Sequence, residues 1–125
     1  MGYTVVLVTD FVEHGNYIIP STYQFTNHTY GGFSIVSDVF HQRFNRRIWD
    51  YLYYAGERSI SDTIIPKGIV DSQRRFMEKC IILVAEILKG EVEIKNEEDK
   101  DYVIEWLLNY IKWILNGYII VYYQV

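Results

Sequence analysis

The sequence predicts an α+β fold: a small single-layer sheet, mixed or antiparallel, packed against three helices. Two observations support this prediction. Apolar, strand-like runs stand near both ends of the chain, and helical periodicity fills the middle. We expect an N-terminal hairpin and a C-terminal strand to form the sheet. Because no linker is long enough to separate two domains, residues 1–125 are expected to form a single domain.

The best-delimited element is a helix predicted between Asn96 and Gly117. The Asn96 side-chain oxygen can accept from the free N–H groups of a first helical turn, and Gly117 can adopt the left-handed conformation that ends a helix. Apolar residues, including Trp106 and Trp113, cover roughly two-thirds of the circumference. A face this wide needs cover on two sides, so we expect a homo-oligomer, a dimer or larger.

Three strands are predicted from apolar runs. The first, Tyr3–Val12, contains the continuous sequence VVLV, which indicates a strand covered on both faces. A turn then leads into the second, Tyr17–Thr26, expected to be antiparallel to the first. Pro20 cannot donate to a ladder, so the second strand is predicted to be bulged or at an edge. The third, Tyr118–Val125, is expected to pair with the first, and it has no charged residue to protect an edge.

Two further helices are predicted. Ser37 is expected to cap a helix over residues 38–55, and a second helix is expected over residues 69–89. Residues 57–68 are predicted to be a loop, and residues 91–95 a short strand or a linker. The buried face of the helix over residues 38–55 is predicted to consist of Phe40, Phe44, Ile48, Tyr51, Leu52 and Ala55.

Composition excludes several classes of protein. The net charge of -4 argues against non-specific nucleic-acid binding. The single cysteine, Cys80, excludes an internal disulfide and a cysteine-only metal site, and it is compatible with a reducing compartment. No signal-like basic region precedes the first apolar run, and polar residues interrupt the apolar residues 102–125. We therefore expect a cytoplasmic protein without a membrane span or a cofactor.

Amino-acid usage gives a hint about origin. The chain has 17 Ile and 12 Tyr but two Ala. Because Ile and Tyr codons are rich in A and T, this usage indicates a gene of low GC content. Small, aromatic-rich proteins without catalytic motifs are common among viral and mobile-element accessory proteins, so we expect an origin of that kind.

Basic residues are concentrated in the middle of the chain. Residues 41–79 hold eight Lys or Arg against five Asp or Glu, whereas both flanking segments are net acidic. Asp50 is predicted to pair with Arg46 or Arg47, and Asp71 with Arg75, at helical spacing. The pattern favours contact with an acidic protein surface, a phosphate-bearing ligand or nucleic acid; the alternative is a solvated helix face. The candidate partner-binding residues are Arg43, Arg46, Arg47, Tyr54, Arg74 and Arg75.

Two catalytic alternatives rest on small groups of residues. A metal site would need a turn, a loop and a helix to bring together three histidines, His14, His28 and His41. A metal-dependent nuclease centre would use two carboxylates to hold the metal and a lysine to stabilise developing charge. Its residues would be Asp10, Glu93 and Lys95.

The favoured interpretation is a small binding or inhibitor protein that acts by contact and not by catalysis. Its partner is expected to be a host protein or an anionic ligand. A nucleotide- or nucleic-acid-binding domain that uses residues 43–47 is the alternative within the binding class, and the small nuclease is the alternative from another class.

Overall fold

The computed structural model describes residues 3–56 and 60–124, with the side chains of residues 28–32 and 61 outside this description. The described residues form five strands and three α-helices, which confirms the predicted α+β fold. The strands are β1 (Tyr3–His14), β2 (Tyr17–Thr29), β3 (Tyr53–Tyr54), β4 (Ile65–Pro66) and β5 (Ile119–Gln124). The helices are α1 (Tyr30–Phe44), α2 (Ile69–Leu88) and α3 (Glu97–Leu115).

The five strands form one mixed sheet in the order β3-β5-β1-β2-β4. β1 lies at the centre, antiparallel to both β2 and β5, which confirms the predicted pairing of the first and last strands. The short strand β3 runs parallel to β5. The short strand β4 pairs with β2 only at Tyr17 and Ile18, so the rest of the outer edge of β2 has no strand partner among the described residues.

The VVLV sequence of β1 is covered on both faces of the sheet, as predicted. Val5 and Leu7 face the three helices and belong to the larger core cluster. Val6 and Val8 face the opposite side, where they share a second core cluster with Ala55, Ile60 and Ile65. All four β1 residues are almost fully buried, because a central strand between two layers has no face left for water.

Pro20 lies where β2 departs from regular pairing. It stands opposite Phe11, next to a shift in the β1–β2 register between Asp10 and Phe11. The missing N–H of proline is compatible with such an irregularity, because fewer ladder hydrogen bonds are required there. The predicted bulge is therefore confirmed, although β2 continues to Thr29, beyond the predicted end at Thr26.

The predicted helix over residues 38–55 is wrong at both ends. α1 begins at Tyr30 and ends at Phe44, because Asn45 adopts a left-handed backbone conformation with a φ of 56°. A 3₁₀ turn (Ile48–Asp50) and β3 follow. Ser37 is buried within the helix and does not cap it; its Oγ accepts from the N–H of Ile48 at 3.4 Å.

The apolar spacing that predicted this longer helix is real, but the backbone that carries it is not helical throughout. Phe40, Ile48, Tyr51 and Leu52 are all buried in the larger core cluster. The predicted loop over residues 57–68 also differs from expectation where it is described, since residues 60–68 contain a second 3₁₀ turn (Ile60–Asp62) and β4, while residues 57–59 lie outside the described residues. Residues 91–95 are a linker without a strand.

α2 and α3 begin and end almost where the sequence predicts. The Asn96 side chain accepts from the N–H of Asp99 at 2.8 Å, and Gly117 has a φ of 83°. The two helices pack together through aromatic contacts such as that between the rings of Phe76 and Tyr110, whose centroids are 5.3 Å apart. None of the helices in the described part of the chain is long and apolar enough to cross a membrane.

Gln73 is a buried polar residue that joins α2 to the sheet. Its side chain is 2% exposed and makes two hydrogen bonds to the backbone of Ile120 in β5. Nε2 donates to the Ile120 carbonyl at 2.6 Å, and Oε1 accepts from the Ile120 N–H at 2.9 Å. Because β3 pairs with β5 only from Val121 onward, Gln73 takes the place of a neighbouring strand at Ile120.

Candidate functional site

Arg43, Arg46 and Arg47 do not share one helix face, because α1 ends at Phe44, and two of these three candidate residues are paired with acids. The Nη2 of Arg43 donates to Oε1 of Glu86 in α2 at 2.9 Å, and its Nε donates to the other oxygen of the same carboxylate. The hydrogen bond from Arg43 lowers the pKa of the Glu86 carboxyl. Arg47 forms an ion pair with Asp38 of α1, and its guanidinium lies 5.6 Å from the centroid of the Trp49 ring.

Within the described residues, Asp50 forms no ion pair with an arginine side chain, contrary to the prediction. Its Oδ2 accepts from the backbone N–H of Arg47 at 3.1 Å and so closes the 3₁₀ turn. Among the described residues, no carboxylate lies within 4.0 Å of the guanidinium of Arg46. Of the three arginines in residues 43–47, Arg46 is therefore the one without an acidic partner among the described residues.

Tyr54 and Arg74, two further candidate residues, lie apart from Arg43 and Arg47. The Tyr54 hydroxyl, on β3, donates to Oε1 of Gln124 at 3.1 Å, and its ring packs against Tyr122 with centroids 5.2 Å apart. Arg74 lines a narrow cleft of about 110 Å³ beside Phe11 and Ile114. Tyr54 was predicted on the same helix as Arg43 and Arg47, and this prediction is wrong, since that helix ends at Phe44 and Tyr54 lies on β3.

Arg46 and Arg75 do come together, at a surface cleft of about 320 Å³. We call this site the basic cleft; its lining residues are Arg46, Asp50, Tyr51, Ser72, Arg75 and Lys79. Arg46 reaches it from the bend that follows Asn45. Ser72, Arg75 and Lys79 reach it from α2, where a spacing of three and then four residues places them on one face of the helix.

The basic cleft has an excess of positive charge. Three cations line it against one carboxylate, Asp50, which already accepts a backbone hydrogen bond. The predicted ion pair between Asp71 and Arg75 is absent, and no ion pair involves Lys79 within the described ranges. Lys79 Nζ lies 4.9 Å from the centroid of the Phe44 ring. Like charges repel, so this arrangement favours an anion between them.

Sequence reasoning missed Lys79 and Ser72 as members of the site. The Ser72 Oγ donates to the Tyr51 carbonyl at 3.3 Å, which leaves its lone pairs available to a donor. The signal that could have found both residues is their spacing from Arg75 on the predicted helix over residues 69–89. The sequence-based prediction paired Arg75 with Asp71 and assigned no role to Lys79 or Ser72.

The residues proposed for catalysis are not brought together. Asp10 precedes Phe11, which lies beside Gly117 at the C-terminal end of α3, whereas Glu93 and Lys95 precede its N-terminal end. A helix of 19 residues spans about 28 Å, so these groups cannot hold one metal. Across the described residues, no three His, Cys, Asp or Glu side chains form a group that could hold a metal, and the His28 side chain lies outside the described residues.

Cys80 lies in the core and has no access to a substrate. It is fully buried beside the aromatic residues of α2 and α3, and burial raises the pKa of its thiol. A thiol without thiolate character is a poor nucleophile. Its role in the described structure is packing, as its place on the apolar face of α2 predicts.

A second cleft, of about 350 Å³, is lined by four aromatic rings that sequence reasoning did not group: Tyr3, Phe33, Trp49 and Tyr122. Burial raises the pKa of the Tyr122 hydroxyl to about 12, so this group is neutral at physiological pH. The cleft offers apolar contact surface, and it brings no acid–base pair to a reacting group.

Comparisons of the chain with protein-family models, with curated proteins and with solved structures found no match. The function is therefore inferred from the geometry of the basic cleft and its surroundings.

Proposed function

We propose that the protein is a small binding protein without catalytic activity, which holds an acidic segment of a partner protein in the basic cleft. The observation that carries this proposal is the convergence of Arg46, Arg75 and Lys79 on one cleft. Exposed ion pairs contribute little to stability, so folding gives no reason to gather three cations there. A carboxylate gives a reason, because a guanidinium can bind it through two parallel hydrogen bonds.

An acidic protein segment fits the site better than nucleic acid does. A nucleic-acid backbone needs basic residues along an extended surface, whereas Glu86 and Asp38 neutralise Arg43 and Arg47 beside this cleft. Arg74 faces a different cleft. The positive region is thus short, and the net charge of the chain is -4, which repels a polyanion at longer range. One or two carboxylates match its size.

We further propose that the protein acts as an inhibitor, because an occupied acidic surface of a partner is closed to that partner's other ligands. The low-GC amino-acid usage supports a viral or mobile-element origin, with 17 Ile and 12 Tyr against two Ala. In that case the partner is a host factor, and an anti-defence role fits such a protein.

Reversing two charges in the basic cleft is expected to abolish binding while leaving the fold intact. The probes are a fluorescein-labelled Gly-Ser peptide with two adjacent glutamates and, separately, a single-stranded oligonucleotide and inorganic pyrophosphate. The variant is Arg46→Glu with Arg75→Glu. Hydrogen bonds to charged groups contribute about 1.5–3 kcal/mol each, so we expect fluorescence anisotropy to show peptide affinity at least ~100-fold lower.

The matched control is Arg74→Glu with Lys95→Glu, which changes the net charge by the same amount at exposed positions outside the basic cleft. It should keep wild-type affinity for the peptide apart from a small long-range effect that salt removes. Circular dichroism must show that both variants are folded. Equal loss in the two variants, or no binding of the peptide by the wild type, contradicts the proposal. Tighter binding of the oligonucleotide than of the peptide favours the nucleic-acid alternative.

A further inference from the structure

The outer surface of α2 and α3 carries exposed apolar residues in two lines. Ile81 and Leu88 of α2 are 48% and 66% exposed, and Leu108 and Leu115 of α3 are 50% and 69% exposed. A spacing of seven residues places each pair on one side of its helix. Single exposed apolar residues are normal on a protein surface, but aligned residues on two packed helices mark an interaction surface.

The α3 line has the pattern of a helix that packs against another helix. Ile104, Leu108, Ile111 and Leu115 are separated by four, three and four residues, which is the heptad pattern d, a, d, a. Ile104 and Ile111 are partly buried against the core of their own chain, and the two leucines point further out. In this stripe of four residues, Ile104 and Ile111 are thus covered within the chain, whereas Leu108 and Leu115 are exposed and can contact a second helix.

Two charged residues border this stripe with opposite signs. Glu105 and Lys112 each follow a d position directly, so both occupy e positions of the heptad. Both are exposed, and no ion pair involves either of them within residues 3–56 and 60–124. When two helices with this sequence run antiparallel, the e positions of one face the e positions of the other. Glu105 then meets Lys112 of the second copy, and Lys112 meets Glu105.

We propose that two copies of this chain associate through α3 about a twofold axis, with the two α3 helices antiparallel. In this arrangement Leu108 packs against Ile111 of the second copy, and Ile104 packs against Leu115. Ile81 and Leu88 extend the apolar surface on α2. In a parallel pair the e positions face g positions, so Glu105 and Lys112 would not meet each other; the contact between them forms only in the antiparallel pair. This complementarity between two identical helices identifies the occupant as a second copy of the chain.

The dimer leaves both basic clefts open. Around α2, at about 100° per residue, Arg75 and Lys79 point at least ~120° away from Ile81 and Leu88. The dimer therefore presents two basic clefts to a partner, and a partner with two acidic segments is bound more tightly than one with a single segment. This consequence rests on the proposed function, whereas the dimer itself does not.

Charge reversal provides a test in which a lost contact can be restored. Sedimentation equilibrium is measured for the wild type, for Glu105→Lys, for Lys112→Glu and for the double variant with both changes. We expect each single variant to dimerise at least ~30-fold more weakly, because two repulsive pairs replace two attractive ones. The double variant should regain wild-type dimerisation, and an equimolar mixture of the two single variants should form a heterodimer.

Glu78→Lys is the matched control, since it reverses an exposed glutamate on α2 outside the stripe. It should dimerise as the wild type does. Leu108→Glu should be a folded monomer, as judged by circular dichroism. The proposal is overturned if the wild type stays monomeric up to ~100 μM, if the single variants dimerise normally, or if neither the double variant nor the mixture recovers. Binding of the glutamate peptide is measured separately, so a monomer that still binds it would overturn the dimer alone.

Discussion

Trp106→Ala is expected to lower the free energy of unfolding by about 3–5 kcal/mol. Trp106 is 9% exposed and lies in an aromatic cluster of α3. Its ring centroid is 5.7 Å from that of Trp113, 6.2 Å from that of Tyr102 and 6.3 Å from that of Tyr110. Alanine would leave a cavity that these large rings cannot fill, and small domains have a total stability of only about 5–15 kcal/mol.

A urea titration followed by circular dichroism measures this loss. Ile82→Ala is the control, because Ile82 is 45% exposed and lies outside both the core clusters and the proposed dimer contact. The control should change stability by no more than about 0.5 kcal/mol. If Trp106→Ala costs less than about 1 kcal/mol, then α3 is not the central packing element that its buried face indicates.

Gln73→Leu should destabilise the protein by about 2–5 kcal/mol, although leucine is close to glutamine in size. The substitution removes both hydrogen bonds to Ile120 and leaves a buried N–H and a buried carbonyl without partners. Each such group costs about 1–3 kcal/mol. Gln42→Leu is the matched control, since it makes the same chemical change at an exposed position of α1. A loss in the Gln73 variant no larger than in the control would show that the two hydrogen bonds contribute nothing.

Gln73→Glu adds a dependence on pH that tests the same pair of hydrogen bonds. A protonated glutamic acid can both donate to the Ile120 carbonyl and accept from its N–H, as glutamine does, whereas the carboxylate can only accept. Burial raises the pKa of a carboxyl in the folded state above its unfolded value. The stabilising contribution is therefore present at low pH and lost as the pH rises through the raised pKa. Urea titrations at several pH values should show the deficit of this variant growing with pH.

The parts of the fold that follow from local signals could be predicted from the sequence. Asn96 and Gly117 mark the ends of α3 through capping and backbone conformation, which involve only neighbouring residues. The burial of Val5–Val8 on both faces of the sheet follows from an unbroken apolar run, and the pairing of β5 with β1 follows because each needs the other as cover. The first two features involve only neighbouring residues, whereas the third joins residues from opposite ends of the chain and was predicted because both strands are apolar.

The rest depends on contacts between distant residues. Asn45 ends α1 although the apolar spacing continues beyond it, because the side chains that follow reach the same core from a turn and a short strand. Gln73 bonds to the backbone of Ile120 on the side where the two-residue strand β3 does not reach it. The pattern of apolar and polar residues in the sequence indicates neither the end of α1 at Asn45 nor the burial of Gln73.

Only part of the candidate site could be predicted from the sequence, because it too depends on contacts between distant residues. The sequence identifies a basic middle segment, but not which of its cations lacks an acidic partner. Glu86, which pairs with Arg43, lies 43 residues away in the chain, and Arg75 comes to Arg46 from another helix. The chain must fold before Arg46, Arg75 and Lys79 can be distinguished from their paired neighbours.

The central position of β1 sets an order of events during synthesis. Among the elements described above, β1 and β2 leave the ribosome first, and β5, which covers the other edge of β1, leaves last. Until then the nascent hairpin exposes the β-branched, uncharged edge of Val5–Val8 to any other unfolded chain. Pairings between residues so far apart in the chain also form slowly. The arrangement that buries this strand most completely in the finished molecule therefore leaves it open to aggregation for the longest time in the growing one.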